Sequence, residues 1–335
     1  MNQAFGIDLG SDTVKIYDRR DDSISIDKNY IAVRTPLKII AVGNDAYEIY
    51  ERNPMDMVVE SPVIDGRIAN VMETEAVLQT LLFRQKHYVG SRQDIYFAVP
   101  MDTTEVERRA YASVTRRGRL KDCNIYFIEK PIADAAALGI NTKKTKGAMI
   151  VNIGASVTEI SVIADSRIIL SRTVKFGGNT IDEEIVSRVT RKNHLSISTK
   201  TAEQLKLMYA SLESTFPAEG CLVLGVDTDN GLPREGYISS ATIVSIVKEA
   251  FTSFAKEITN IISRTPPQVR DIIMLTGFTV TGGSSRISGV VPFLTAECGM
   301  QARLSDLYEL CTVSGLKEII NEPAGAKSAY VRKRR

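Results

Sequence analysis

The chain makes one turn twice. Ile7-Asp8-Leu9-Gly10-Ser11 lies in register with Val151-Asn152-Ile153-Gly154-Ala155, and each copy follows an apolar run. Strands alternate with helices throughout, so the repeat reads as internal duplication of an α/β unit, with a cleft between the halves. Ligands in such folds lie outside the carboxyl ends of strands, in crevices of that kind. The copies differ in one charge, an acid at Asp8 and an amide at Asn152.

At 335 residues the chain is long enough for two domains with separate cores. An apolar content of 44% with 24% charged residues fits a globular protein in water. The net charge of +2 gives no electrostatic case for nucleic acid, and the basic runs Arg116-Arg117-Gly118-Arg119 and Arg332–Arg335 read as solvated surface. Cys123, Cys221, Cys298 and Cys311 have no metal-ligand spacing, and His87 and His194 lie far from them. They read as reduced thiols of a cytosolic protein. No apolar run reaches the length of a membrane span and no signal-peptide pattern is present, so any membrane contact is expected to be peripheral.

Residues 5–9, 13–18, 24–27 and 39–42 read as strands, and 73–86 as a helix. In MDTTEVERRAYASVTRRG the Asp102/Glu105 spacing predicts a capping box, Val106, Ala110 and Val114 an inward face, and Gly118 a C-cap. IYFIEKPIADAAALGI reads as strand, turn, then a helix with Pro131 in its first turn. Further helices are expected from near Asn179, over TAEQLKLMYASL, and over about 240–263. The last turns Ile243, Val244, Val247, Phe251, Phe254, Ile258 and Ile261 inward and stops at Pro266-Pro267. DIIMLTGFTVTGGSSRI reads as strand, glycine-rich turn, then helix.

Three glycine turns follow apolar strands: Asp8–Thr13, Asn152–Thr158 and Thr281–Ser285. Each alone is compatible with an ordinary hairpin. Together they can direct backbone N–H groups at phosphate oxygens, two gripping phosphates and the third holding a nucleoside. No Gly-Lys-Ser/Thr phosphate loop, Rossmann fingerprint or Ser/His/Asp set is present.

From Phe5 to about Lys327 the chain resembles the actin, Hsp70 and sugar-kinase superfamily, and within it the MreB-like bacterial actins. GIDLGS resembles the family's first phosphate loop, and SPVIDGRIAN its Arg-Pro-Met-x-Asp-Gly-Val-Ile-Ala-Asp stretch. VPMDTTEVERRA, IEKPIADAAALG, TAEQLK, GLPR and VTGGSSRISGV fall where the family has counterparts. The resemblance implies an actin-like, ribonuclease H-like duplicated α/β fold with two large domains flanking a nucleotide cleft. These would be residues 1–145, with a small subdomain at about 30–68, and 146–335, with one at about 182–237. A C-terminal helix at about 308–330 would return to the first domain.

Roles carry over by position as expectations. Asp8 would hold water around Mg²⁺, and Gly10, Ser11 and Asp12 would contact the β-phosphate. Lys15 stands where actin has a phosphate-contacting lysine, although relatives of the MreB type usually have an apolar residue there. An exposed strand lysine is the competing reading. Asn152, Gly154, Ala155, Ser156 and Thr158 form the second phosphate loop. Glu203 and Lys206 would line ribose and adenine, and Gly282, Gly283 and Ser284 would let backbone approach the nucleoside. The implied ligand is ATP or ADP with Mg²⁺.

The departures cluster. The family's second loop reads Val-Asp-Ile-Gly-Gly-Gly-Thr-Thr-Glu, whereas this chain has Asn152, Ala155, Ser156 and Val157. Asn152 loses the charge that favours Mg²⁺. The family's catalytic glutamate, immediately before proline, is Lys130 here, with Glu129 one residue earlier. An ammonium cannot accept a hydrogen bond, so Lys130 cannot orient an attacking water as a carboxylate does. The resemblance thus implies a self-assembling filament protein of the cytoplasm or the inner membrane face, serving cell shape and wall synthesis, with hydrolysis weak or absent. A non-polymerising nucleotide sensor and an active ATPase or kinase are the alternatives. Tyr88 and Val89 offer a marginal membrane site.

Overall fold

Each half of the chain builds the same sheet. A computed structural model describes residues 3–34, 38–52, 54–85, 93–115, 120–322 and 332–333. The first half opens with the antiparallel strands β1 (Ala4–Leu9), β2 (Thr13–Asp18) and β3 (Ser23–Lys28). An excursion follows through β4 (Ile31–Arg34), β5 (Lys38–Val42), α1 (Asn44–Glu48) and β6 (Met57–Glu60), then the ribbon β7 (Val63–Ile64) and β8 (Arg67–Ile68). Next come α2 (Val71–Phe83), β9 (Asp94–Val99), α3 (Glu105–Ser113), β10 (Asn124–Glu129) and α4 (Lys130–Ala137).

The second half repeats the opening with β11 (Ala148–Ile153), β12 (Thr158–Ala164) and β13 (Arg167–Val174). Its excursion holds α5 (Gly178–Asn193), β14 (Leu195–Ser196), α6 (Thr199–Tyr209), β15 (Gly220–Asp227) and β16 (Pro233–Ser239). Then follow α7 (Ser240–Arg264), α8 (Pro267–Thr276), β17 (Phe278–Thr281), a 3-10 turn at Gly283–Arg286, α9 (Val290–Cys298) and β18 (Ala302–Leu304). The chain closes with α10 (Cys311–Asn321) and β19 (Arg332–Lys333).

The main sheets run β3-β2-β1-β9-β10, with β19 beyond, and β13-β12-β11-β17-β18. In both, the strand before the glycine turn is central, its hairpin partner lies on one side and parallel strands lie on the other. The chain packs as two units, Met1–Lys146 with Ile163–Thr173 and Glu309–Arg335, and Gly147–Val162 with Val174–Tyr308.

In the first unit the sheet is buried on both faces, as parallel strands require. Phe5, Ile7 and Leu9 of β1 and Ile95, Phe97 and Val99 of β9 pack with Val77, Leu78 and Leu81 of α2. The opposite face carries Tyr96 and Ala98, covered by Val313, Leu316 and Ile320 of α10. Asp8 falls between Ile7 and Leu9 in this alternation, so β1 delivers its carboxylate off the apolar α2 face at the strand's carboxyl end. In the second unit α7 buries Ile243, Ile246, Val247, Phe251, Phe254, Ile258 and Ile261.

Some local expectations are corrected. The capping box at α3 is Thr104 with Glu107, two residues beyond the Asp102/Glu105 spacing; Asp102 instead pairs with Arg67 at 2.7 Å. Val106 points to solvent, and Tyr111 and Ala112 turn inward. Ile246 is buried in α7 where Val244 is only partly so. Residues 271–276 are helical rather than extended: Pro267 opens α8, and Gly277, at φ +79°, ends it before β17. Gly118 and the Tyr88/Val89 loop lie outside the described residues.

Candidate functional site

The two glycine turns close with one geometry. Gly10 N–H donates to the Thr13 carbonyl at 3.0 Å, and Gly154 N–H donates to the Val157 carbonyl at 3.0 Å. A Cβ on either glycine would stand 2.8 Å from that same acceptor oxygen, so both turns exclude a side chain for one reason.

The first turn is braced by the small sheet and ribbon of its own unit. Asn29 donates from Nδ2 to the Gly10 carbonyl at 2.7 Å, and from its backbone to the Asp12 carbonyl at 2.7 Å. Ser61 Oγ donates to the Ser11 carbonyl at 2.7 Å, and Gly66 N–H donates to Ser11 Oγ at 2.9 Å. Asp12 pairs with Lys28 at 2.7 Å, and that ammonium lies over the Tyr47 ring. Ser61 and Gly66 belong to SPVIDGRIAN, so part of that stretch serves to hold the turn.

The second turn is braced within the other unit. Ser284 Oγ donates to the Gly154 carbonyl at 2.9 Å, and Asn179 N–H to the Ala155 carbonyl at 2.7 Å. Lys206 on α6 donates to the Gly178 carbonyl at 3.0 Å and pairs with buried Asp182 at 2.6 Å. Glu203 lies one turn earlier on α6, partly buried. Gly282 has φ +91°, and a Cβ there would run into the Ile153 carbonyl and the Asn152 amide oxygen. Gly283 opens the 3-10 turn that carries Ser284. Thr158, fully buried, donates its hydroxyl to the Phe176 carbonyl at 2.8 Å. Ser284, Asn179 and Lys206 thus meet the carbonyls of Gly154, Ala155 and Gly178.

Charge distinguishes the first turn. Asp8 and Lys15 are direct cross-strand partners, with Lys15 Nζ 3.5 Å from Oδ2 and donating to Thr13 Oγ1 at 2.9 Å. Lys15 is only 6% exposed, so it is a buried lysine and not the exposed strand lysine of the competing reading. Lys130 Nζ stands 3.0 Å from Asp8 Oδ1. It reaches there as the first residue of α4, where β10 ends at Glu129 and Pro131 starts the helix. Glu129 is held 3.9 Å from Arg108 of α3. Burial pushes the Asp8 carboxyl up, but Lys130 and then Lys15 outweigh it and hold the group below the usual carboxylate range.

The donor set does not suit a divalent cation. Mg²⁺ and Ca²⁺ require several oxygen ligands, usually including carboxylates. Each Asp8 oxygen already faces an ammonium, and the equivalent position in the second turn is an amide. Among the described residues no cluster of three His, Cys, Asp or Glu side chains is placed to hold a metal. Unit charges about 4 Å apart interact by roughly 4 kcal/mol at an effective dielectric near 20, so a dication beside Lys130 and Lys15 meets strong repulsion.

Asn29, Ser61, Arg108 and Asp182 are site-supporting residues that the sequence reading did not single out. Asp182 had a signal: an acid on the apolar Ile181/Ile185/Val189 side of an amphipathic helix calls for a buried partner.

The MreB/Mbl protein family matches residues 2–328. The cell shape-determining protein MreB of Escherichia coli K12 is 27% identical over 317 residues, 92% of this chain and 90% of that protein. MreB5 of Spiroplasma citri bound to AMPPNP superposes with a TM-score of 0.90 at 25% identity, covering 98% of each chain. A MamK double helical filament shares the fold, at a TM-score of 0.77 and 15% identity over 96% of this chain and 99% of that one. With the duplicated sheet, the paired glycine turns and a family match over nearly its whole length, this chain is a member of the MreB/Mbl family and has the actin-like fold.

Proposed function

We propose that this chain is a filament-forming cytoskeletal protein that binds ATP or ADP through its two glycine turns and hydrolyses ATP weakly or not at all. On this reading it serves cell-shape determination and the organisation of wall synthesis in the cytoplasm or at the inner membrane face, with other copies of itself as its main partner. The relatives named above are described as cell shape-determining, AMPPNP-bound and filamentous, and these properties are extended to this chain as a proposal.

The observation that carries the catalytic part is Lys130. At the position where the resemblance expects a water-orienting glutamate, an ammonium is paired with Asp8. Loss of a positioned acid or base typically costs about 10²–10⁴ in rate. Glu129 is the nearest carboxylate in sequence, and it is held by Arg108. Among the described residues no helix is long and apolar enough to cross a membrane, so the membrane contact proposed is peripheral.

The test joins sedimentation and negative-stain microscopy, without nucleotide and with ATP or AMPPNP, to a phosphate-release assay in Mg²⁺. Nucleotide-dependent filaments with little phosphate release support the reading. A chain that binds nucleotide yet stays monomeric is a sensor. Turnover like that of an ordinary bacterial actin, abolished by mutation in either turn, overturns the catalytic part.

A further inference from the structure

We propose that the Lys130 ammonium stands in for the divalent cation at Asp8, so that this chain takes its nucleotide as the metal-free polyphosphate. The inference rests on the nucleotide-binding reading above and adds the form of the ligand.

Three observations on separate stretches of chain converge. Lys130, at the start of α4, places Nζ 3.0 Å from Asp8 Oδ1. Lys15, across the hairpin, covers the other oxygen at 3.5 Å and is itself buried. Asn152, at the register position of Asp8 in the second turn, is an amide and brings no second carboxylate of that register. The two ammoniums together carry the charge of one divalent ion, fixed covalently to the chain. An ammonium has three N–H donors, so it can bridge a carboxylate and a phosphate oxygen. Asp8 then acts as the anchor that holds Lys130 and Lys15 toward the Gly10 turn, where phosphate oxygens would meet backbone N–H groups. A dication brought in with the nucleotide would have to displace or crowd both lysines.

The experiment is calorimetric titration of the full chain with AMPPNP, once in excess EDTA and once in millimolar Mg²⁺. The expected result is a dissociation constant in EDTA equal to or below that in Mg²⁺, where the ion competes for the nucleotide, and in no case more than about fivefold above it. Weakening in EDTA by more than that overturns this inference and leaves the nucleotide-binding reading standing. Absence of binding under both conditions overturns that reading and the inference with it. Lys130→Met sharpens the assignment. It is expected to weaken AMPPNP about tenfold in EDTA and to recover at least half of that loss, on the logarithmic scale, in Mg²⁺. Equal weakening in both arms shows that Lys130 does not replace the metal. If Lys130→Met fails to fold, the wild-type pair of titrations decides alone.

Discussion

The first and second glycine turns share a backbone and differ in what surrounds it. Both close through one N–H···O=C bond of 3.0 Å three residues long, and both sit on the central strand of a five-strand order repeated in the two halves. Yet the first turn gathers Asp8, Lys15 and Lys130 into a buried charge cluster, while the second gathers hydroxyls, amides and carbonyls around Gly154. By the same register Lys15 corresponds to Glu159, so the buried strand position reverses its charge between the copies. Backbone geometry follows from glycine and strand pairing and survives duplication. The electrostatics depends on three or four side chains and diverges freely.

The largest test of this contrast restores acids to both sides. Lys130→Glu combined with Asn152→Asp should raise phosphate release by about a hundredfold in Mg²⁺, the lower end of the range for a positioned acid or base. Phosphate release by the double variant no faster than wild type would show that the charge cluster is not what limits hydrolysis.

Next, the turns can be tested for equivalence. Gly10→Ala and Gly154→Ala each push a Cβ to 2.8 Å from the turn's own carbonyl. Each should cost about 1–3 kcal/mol, the usual penalty for overpacking. The two shifts in thermal midpoint should match. A large inequality would mean that the braces around each turn, Asn29 and Ser61 in one and Ser284 in the other, control its tolerance more than the shared bond does.

The charge cluster also has a pH signature. Asp8 titrates below its ordinary value in the folded chain, so its ionised form adds stability above the unfolded pKa, near 3.9, and that stability is lost as pH falls through the depressed folded value. In Lys130→Met only Lys15 still opposes the burial, so the folded value rises toward the unfolded one and the part of the acid-induced loss that comes from Asp8 should shrink. Thermal midpoints between pH 7 and pH 3 measure this. Identical acid limbs for wild type and variant would separate Lys130 from Asp8 energetically.

The duplication, the glycine turns and most helices were legible because periodicity and glycine report on backbone, which is local. The capping box lies two residues beyond the expected one because MDTTEVERRA offers two starts with a glutamate three residues on, Asp102 and Thr104, and spacing alone does not separate them. Residues 271–276 read as the start of the strand that the structure confines to Phe278–Thr281, because the apolar run DIIML is short and short runs fit either period. The burial of Lys15 is not legible in the sequence because an isolated lysine on a strand does not reveal its partner. The partner, Asp8, lies directly opposite in the hairpin register, and Lys130 arrives from a helix more than a hundred residues later.

The smallest prediction concerns a position where the copies differ by one hydroxyl. Val14 follows the first turn and Thr158 the second, both buried. Thr158 Oγ1 donates to the Phe176 carbonyl at 2.8 Å, whereas Val14 carries no polar atom in its side chain. Thr158→Val keeps the side chain's shape and its β-branched fit to the strand, so the change isolates the hydrogen bond. Its net worth should be about 0.5–1.5 kcal/mol, and the carbonyl left without that donor brings the cost toward the upper end. Val14→Thr is the reciprocal change: it buries a hydroxyl among Ile16, Leu81 and their neighbours, and should also destabilise, by about 1–3 kcal/mol. Urea midpoints of the two variants measure both costs. If Thr158→Val is neutral while Val14→Thr is tolerated, the two hairpins are interchangeable at this position and their divergence is confined to the charges around Asp8.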